Sequence, residues 1–483
     1  MDVVVTNNGD ILALEALNFQ VGNTALALFR SSSDGDLDDT FGTSGYFQSD
    51  EPDVYLWPAG VHELSDGKIL IAATGTAGNT GRFVLIRLTA DGHYDTSFGT
   101  GGTVEHQLGF GPLVYTSILQ PDGKLLMTGR CATGMYTCRF RVDGSFDPTF
   151  GTNGVVSVNP SGASFGPRHI VLDANGNIYL GGSKLAGFDA SGWVLGKLDT
   201  YGQPVGSFGT NGFVVFDHIP DAQGTMYNNY ESIERLYVDA SGSIYAAGAV
   251  ALVPVKERMA LAKFDATGAL DPTFGTNGSI YATPNANERA WVDDLVVDPM
   301  GTLVLSGHNQ SFVEMPHLLL LRTDMAGTII GGTEHGGILL YNDPAGVVQS
   351  VSKIALDHTG RIILASGYYN QPIGKAALTA FSHENSTAIA QAATSSVEDL
   401  FVYPNPASSE ISVTYDLLRS GTIRLDLMDA TGRVVEHLGT RNSVTAGRYV
   451  ERFALSRSLA SGHYRLVLTT IAGRSSVNIE LIR

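Results

Sequence analysis

The sequence predicts an all-β fold: a seven-bladed β-propeller built from repeats of about 58 residues, followed by a small immunoglobulin-like β-sandwich. Three observations carry this. A turn followed by an apolar strand recurs seven times. A second phrase ending in Phe-Gly-Thr recurs inside most of the same units. The last eighty or so residues change composition and hold alternating strands of their own.

The first landmark reads NNGDILAL from Asn7, SDGKILIA from Ser65, PDGKLLMTG from Pro121, ANGNIYLGG from Ala174, ASGSIYAAG from Ala240, PMGTLVLSG from Pro299 and HTGRIILASG from His358. Its turn glycines, Gly9, Gly67, Gly123, Gly176, Gly242, Gly301 and Gly360, stand 58, 56, 53, 66, 59 and 59 residues apart. Asp-Gly and Asn-Gly between apolar runs mark hairpins, because glycine takes the positive φ that such turns need. The strand after each turn is apolar at nearly every position, as in Ile69-Leu70-Ile71 and Ile362-Ile363-Leu364. A strand with one wet face would alternate, so both faces are covered. Four strands per unit, covered on both sides and copied at equal length, fit blades packed face to face. No 3.6-residue periodicity supports a helical solenoid.

The second landmark reads LDDTFGTSG from Leu37, YDTSFGTGG from Tyr94, FDPTFGTNG from Phe146, PVGSFGTNG from Pro204 and LDPTFGTNG from Leu270, with a decayed sixth copy, GGTEHGG, at 331–337. Phe41, Phe98, Phe150, Phe208 and Phe274 are expected as wedges between blades, each worth roughly 3–5 kcal/mol against truncation. Asp38, Asp95, Asp147 and Asp271 are expected to cap the turn through their own carboxylates. DGDLD at Asp34 raises calcium as an alternative, but a calcium loop needs more ligands at regular spacing, and the fourth copy carries Val205 in place of the Asp. The seventh unit ends at the strand reaching Phe381, without an outermost strand. Propellers usually close by one terminus lending a strand to the other, so an export signal and a closing strand are expected ahead of Met1. These landmarks resemble the delta-60 repeat family of β-propeller-like domains. The resemblance spans 1–382, implies the fold, and brings no shared catalytic residues.

Residues 383–399 are polar and rich in Ala, Ser and Thr, and read as a linker. Lysine disappears after Lys375 and arginine replaces it. Residues 400–483 then alternate strands with turns every 8–12 residues, the pattern of a small sandwich. This module resembles the type A carboxyl-terminal sorting domain of the type IX secretion system of Bacteroidota. The matching residues are Tyr403, Pro404, Asn405 and Pro406, the Asp429-Ala430-Thr431-Gly432-Arg433 turn, and Gly462, His463 and Tyr464. The resemblance implies handling by the type IX secretion machinery and a secreted or outer-membrane surface-attached protein. The chain ends Leu-Ile-Arg where the family more usually carries a lysine.

The formal net charge is −18. Residues 400–483 hold ten Arg against seven Asp or Glu, a net of +3, which leaves −21 upstream. An acidic body argues against nucleic acid and anionic membranes as partners. No run approaches the ~18 apolar residues of a membrane span, and the amino terminus shows no signal peptide. Cys131 and Cys138 flank a short loop and are candidates for a disulfide across a hairpin, with two thiols as the alternative.

No cofactor or metal motif occurs. Gly162-Ala163-Ser164-Phe165-Gly166 matches a nucleophile elbow in letters only, because a strand follows Ser164 where a helix is needed. Strand order puts the uniform turns on one face and the variable loops on the other, so recognition is expected on the loop face. Trp57 and Trp291 sit ten residues before their turn glycines, near the mouth of the channel. Tyr115, Arg168 and Tyr230 lie at neighbouring offsets, and Asp217 opens the longest insertion. Such residues can stack sugars or grip a peptide, or simply pack between blades. Asp217, His218 and Glu231 form no recognised catalytic set. The sequence therefore reads as a binding or scaffold propeller with a glycan, peptide or surface protein as ligand. An extracellular hydrolase or lyase is the alternative.

Overall fold

The computed structural model describes residues 1–18, 24–43, 45–49, 55–77, 80–107, 113–131, 134–160, 164–186, 189–216, 231–252, 256–282, 289–310, 318–330, 338–341, 349–368, 376–381, 397–403, 407–417, 421–429, 433–445, 447–470 and 473–482. The chain divides into two compact units, Met1–Leu378 and Thr379–Arg483.

In the first unit the described strands form seven antiparallel groups in sequence order. The second is typical: Tyr55–Glu63, Ile69–Ala77, Thr80–Leu88 and Thr103–Gln107 pair in that order. A single parallel bridge, Thr24 to Tyr55, joins the first two groups into one sheet. The innermost strands are Asp2–Val5, Tyr55–Glu63, Leu113–Leu119, Ser164–Leu172, Ser232–Val238, Arg289–Val297 and Gln349–Leu356. Each contacts the next, and the seventh contacts the first, so the ring closes. The seventh group has three described strands, ending with Ala376–Phe381.

The core is not central but lies between blades. Leu12, Leu14, Leu26 and Leu28 of the first blade pack with Leu56, Ile69, Ile71 and Ile86 of the second. Leu70, Ala72 and Phe83, on the other face of the second blade, pack with Leu125, Met127 and Phe140 of the third. This two-sided burial is why the second strand carries no polar alternation.

Behind these layers sits a repeated clasp. Phe41, Phe98, Phe150, Phe208 and Phe274 are all at most 2% exposed. Each lies against a glycine in the next blade, namely Gly92, Gly144, Gly202, Gly268 and Gly327. The following amide binds the same turn: Gly42 N–H donates to Asp91 O at 2.7 Å and Gly151 N–H to Tyr201 O at 2.9 Å. Asp38, Asp95, Asp147 and Asp271 cap as expected, accepting from the amides of Thr40, Ser97, Thr149 and Thr273 at 2.9–3.1 Å. Their second oxygen holds a cation that the sequence reading missed. Arg30, Arg87 and Arg139 donate to Asp38, Asp95 and Asp147 at 2.8–2.9 Å and stack on the Phe ring at 4.3–4.7 Å. They also reach the next blade, where Arg30 donates to Ala90 O at 2.6 Å and Arg139 to Thr200 O at 2.5 Å. The Ser97 hydroxyl, with Lys68 and Arg87, holds the Asp95 carboxyl far below the ordinary carboxylate range.

The fourth copy, with Val205, keeps the backbone without the carboxylate. Val205 N–H still donates to Lys197 O and Phe208 N–H to Val205 O, both at 2.9 Å, while Lys197 turns onto the Tyr179 ring. From the end of the third strand to the start of the fourth the step is fifteen residues in six blades, from Ser31 to Tyr46 through Thr323 to Ile338. The decayed sixth phrase therefore keeps its length, although 331–337 lie outside the described residues. At the seam between blades seven and one, Arg361 donates to Ser33 O at 2.6 Å and pairs with Asp34 and Asp357. Ser33 O is the carbonyl equivalent to Ala90 O and Thr200 O. Asp34, weighed above as a calcium ligand, is thus part of the closing seam.

The disulfide expectation fails on register. Cys131 stands opposite Gly134, whereas Cys138 stands opposite Met127. Four residues of strand separate the two positions, about 13 Å at strand rise, against a limit of about 7 Å between bridged Cα atoms. Cys138 is a buried thiol.

The second unit is a sandwich. One sheet pairs Val397–Tyr403, Glu410–Leu417 and Gly447–Ala454, and the other pairs Val434–Val444, Gly421–Met428, Gly462–Thr470 and Gly473–Leu481. Ile411, Val413 and Tyr415 meet Leu425, Leu427, Leu466 and Leu468 between them. The first strand already pairs at Val397, opposite Leu417, so the expected 383–399 linker gives up its last three residues to the sheet.

Candidate functional site

The four-strand topology sorts the connections as expected. Both turn series, at the Asp-Gly hairpins and at the Phe-Gly clasps, fall at one end of the ring. The ends of the second strands and the starts of the third strands fall at the other, and most of the residues that link them, like most of those between blades, lie outside the described residues. What remains visible there is the start of each inner strand.

Six of these seven strands share a feature that the sequence reading missed, a β-bulge. It leaves out Ala59, Tyr115, Arg168, Asp293 and Glu234 from the pairing, each eight residues before its turn glycine, and Val351 one position earlier in the seventh blade. A bulge re-aims the extra side chain and bends the strand. Two of the predicted site residues are therefore bulge residues on adjacent blades, and the structure brings them together: the Arg168 guanidinium lies 4.4 Å over the Tyr115 ring.

Trp57 precedes the bulge of the second blade, opposite Thr74, and is 50% exposed; Tyr55, two residues earlier, is 43% exposed. Two residues apart on one strand, they share a face. Trp291, the equivalent in the sixth blade, is partly covered by stacking on His308 at 5.2 Å. His308 Nδ1 meets the Asp293 carboxylate at 2.9 Å. Burial works against the imidazolium, but Asp293 outweighs it and raises the His308 pKa above its ordinary value. Trp57, Tyr115 and Arg168 thus stand on three successive inner strands, with Trp291 three blades from Trp57 across the ring. Asp217, His218 and Tyr230 lie outside the described residues. Glu231 is 5% exposed at the entrance to its strand. Ser164 opens a strand opposite Leu185, and no helix follows it, so no nucleophile elbow is built.

Deeper in the channel, residues seven before the turn glycine tie blade to blade. Asp2 accepts the Val61 amide at 2.9 Å, His169 Nδ1 accepts the Leu236 amide at 3.1 Å, and Asp294 accepts the Ile354 amide at 3.0 Å. Arg235 donates to Asp294 at 2.7 Å. Burial pushes the Asp294 carboxyl up, and Arg235 with the Ile354 and Leu295 amides offsets part of that cost. Burial, reinforced by Arg235, holds the His169 pKa well below its ordinary value, in keeping with a ring nitrogen that accepts a hydrogen bond. These hydrogen bonds tie the first blade to the second, the fourth to the fifth, the fifth to the sixth and the sixth to the seventh.

The class of protein that fold and site define is an exported propeller. Residues 64–98 and 120–150 match the family described as domain of unknown function (DUF5122) beta-propeller. Residues 401–479 match the family described as secretion system C-terminal sorting domain. The chain therefore carries a β-propeller followed by a type IX secretion sorting domain, which directs it to the cell surface or the extracellular space. Among the described residues no helix is long and apolar enough to cross a membrane. No curated protein matches the chain. Among solved structures it is similar to a protein of unknown function from Dyadobacter fermentans DSM 18053, at 12% identity over 84% of this chain and 95% of that one, TM-score 0.35. It is also similar to an endo-arabinase from Bacteroides thetaiotaomicron VPI-5482, at 9% over 56% and 93%, TM-score 0.33. Prolyl oligopeptidase B from Galerina marginata matches at 11% over 85% and 56%, TM-score 0.40.

Proposed function

We propose that the body is a binding propeller that works outside the cell and takes a glycan across the loop end of its inner strands. One observation carries this reading: Trp57 and Tyr55 are left half in water on one strand face, at the end of the ring that the clasps do not constrain. Exposed aromatic faces with a polar edge stack on sugar rings, and the Tyr115–Arg168 pair on the neighbouring blades adds a planar, charged surface. An extended peptide or a surface protein is the other ligand class that such a face accepts.

The test is glycan and peptide array binding with the purified full chain. Trp57→Ala combined with Trp291→Ala should weaken binding by roughly tenfold or more while leaving the unfolding midpoint near that of the parent. Unchanged binding in the folded double variant would remove the site. Turnover of an extracellular polymer, lost on Asp293→Asn, would replace the binding reading with that of a hydrolase or lyase.

A further inference from the structure

The residues of the sorting module sort into those that the sandwich needs and those that it leaves outward. Tyr415, Leu425, Leu466 and Leu468 are core. Tyr403, by contrast, is 77% exposed. A methyl at Gly462 would meet nothing within 4 Å. The Arg433 side chain is 77% exposed, although its amide and Nε both bind Asp429, at 3.1 and 3.3 Å. Pro404, Asn405, Pro406 and Gly432 lie outside the described residues. Packing accounts for neither exposed side chain, Tyr403 or Arg433, whereas Gly462 sits at φ +156°, a backbone conformation that glycine takes freely.

Asp429 and Arg433, from one part of the module, and Tyr464, from the strand Gly462–Thr470, line one cleft of about 490 Å³. Val434, Leu459 and Ala460 make its apolar wall. The Tyr464 hydroxyl donates to Ala460 O at 2.9 Å, which fixes the ring in the cleft lining beside Ala460. Val434 is 41% exposed, so the wall is open to a partner. Arg433, ion-paired with Asp429, stands at the rim.

We propose that this cleft is where the secretion machinery grips the chain. The occupant is an extended segment of an export component, with an apolar side chain between Val434, Leu459 and Tyr464 and a carboxylate on Arg433. Charge supports that sign: residues 400–483 hold ten Arg against seven Asp or Glu and use arginine alone for their positive charge, the residue suited to paired hydrogen bonds with a carboxylate. The inference rests on export through the sorting module and not on the glycan reading of the body.

The experiment expresses the full chain in a bacterium with a type IX system and measures the exported fraction. Arg433→Glu reverses the rim charge and Val434→Glu fills the apolar wall; both positions are exposed enough to spare the fold. Val450→Glu, at a 65% exposed site on the other sheet, is the control. Resistance of each purified chain to limited proteolysis reports folding. The expected result is roughly tenfold less export for the two cleft variants and parental export for the control. Parental export of both folded cleft variants overturns the proposal, as does an equal loss in the control. Retention of the parent chain inside the cell overturns export itself, and the cleft with it.

Discussion

The clasp between blades can be measured by comparing two glycines that share a backbone and differ in surroundings. Gly92 and Gly35 occupy the same turn in successive blades, at φ +84° and +88°. An alanine at either meets the same left-handed penalty, about 1–2 kcal/mol. At Gly92 the added methyl would also stand 2.8 Å from Phe41 Cε2 and Cζ and from the Gly42 nitrogen. At Gly35, next to the blade that has no described Phe-Gly phrase, nothing lies within 4 Å. Overpacking adds roughly 1–3 kcal/mol. Displacing the Gly42 N–H from Asp91 O adds about 0.5–1.5 more. Gly35→Ala should therefore cost about 1–2 kcal/mol and Gly92→Ala about 2.5–6.5. Equilibrium denaturation followed by fluorescence of Trp57, Trp193 and Trp291 reads both. Adding Phe41→Ala to Gly92→Ala should give a combined loss smaller than the sum, because the clash partner is gone. Equal losses at Gly35 and Gly92, or strict additivity with Phe41→Ala, would refute the clasp.

Arg361→Ala should loosen the closing seam by about 1.5–3 kcal/mol, the usual worth of hydrogen bonds to a charged group; hydrogen exchange should then rise in the strands Ile11–Asn18 and Ile362–Tyr368 before the middle blades respond. His169 gives a pH dependence: its folded pKa is depressed, so the unfolded chain binds the proton first and stability falls as pH drops below about 6.5, by at most about 1.4 kcal/mol per pH unit for one such group. His169→Gln should flatten that slope in denaturation midpoints measured from pH 8 to pH 5, whereas His308, whose pKa is raised, contributes with the opposite sign and loses its stabilisation as pH rises.

Much of the fold was legible because the chain repeats its constraints in short strings. An Asp-Gly turn lies within four residues, and a doubly covered strand shows as an unbroken apolar run, so seven blades could be counted without coordinates. The clasp was half legible. Phe41 and Asp38 sit in one phrase, but Arg30 stands eight residues upstream, outside it, and its second partner is sixty residues away at Ala90. The signal was there in the constant eight-residue step of Arg30, Arg87 and Arg139 to Asp38, Asp95 and Asp147. The bulge was hidden for a different reason: Ala59, Tyr115, Arg168, Glu234 and Asp293 share an offset but no chemistry. The cysteines misled because flanking a loop says nothing about register, and the hairpin closes at Cys131 and Gly134.

The two ends of the ring are under unequal constraint, and this supports the proposed placing of recognition at the loop end. At the turn end nearly every group is committed. The Phe wedges fill the space over the next blade's glycine, the carboxylates hold an amide and a cation, and the Arg side chains reach across the seam. A substitution there unsettles two blades at once. At the bulge of the inner strand the unpaired position holds Ala59, Tyr115, Arg168, Glu234 or Asp293 while the pairing continues on either side; Ala59 is buried in the core, whereas Arg168 lies over the Tyr115 ring. Side chains that vary freely on a backbone held fixed by its opposite end are the arrangement from which a binding surface is made.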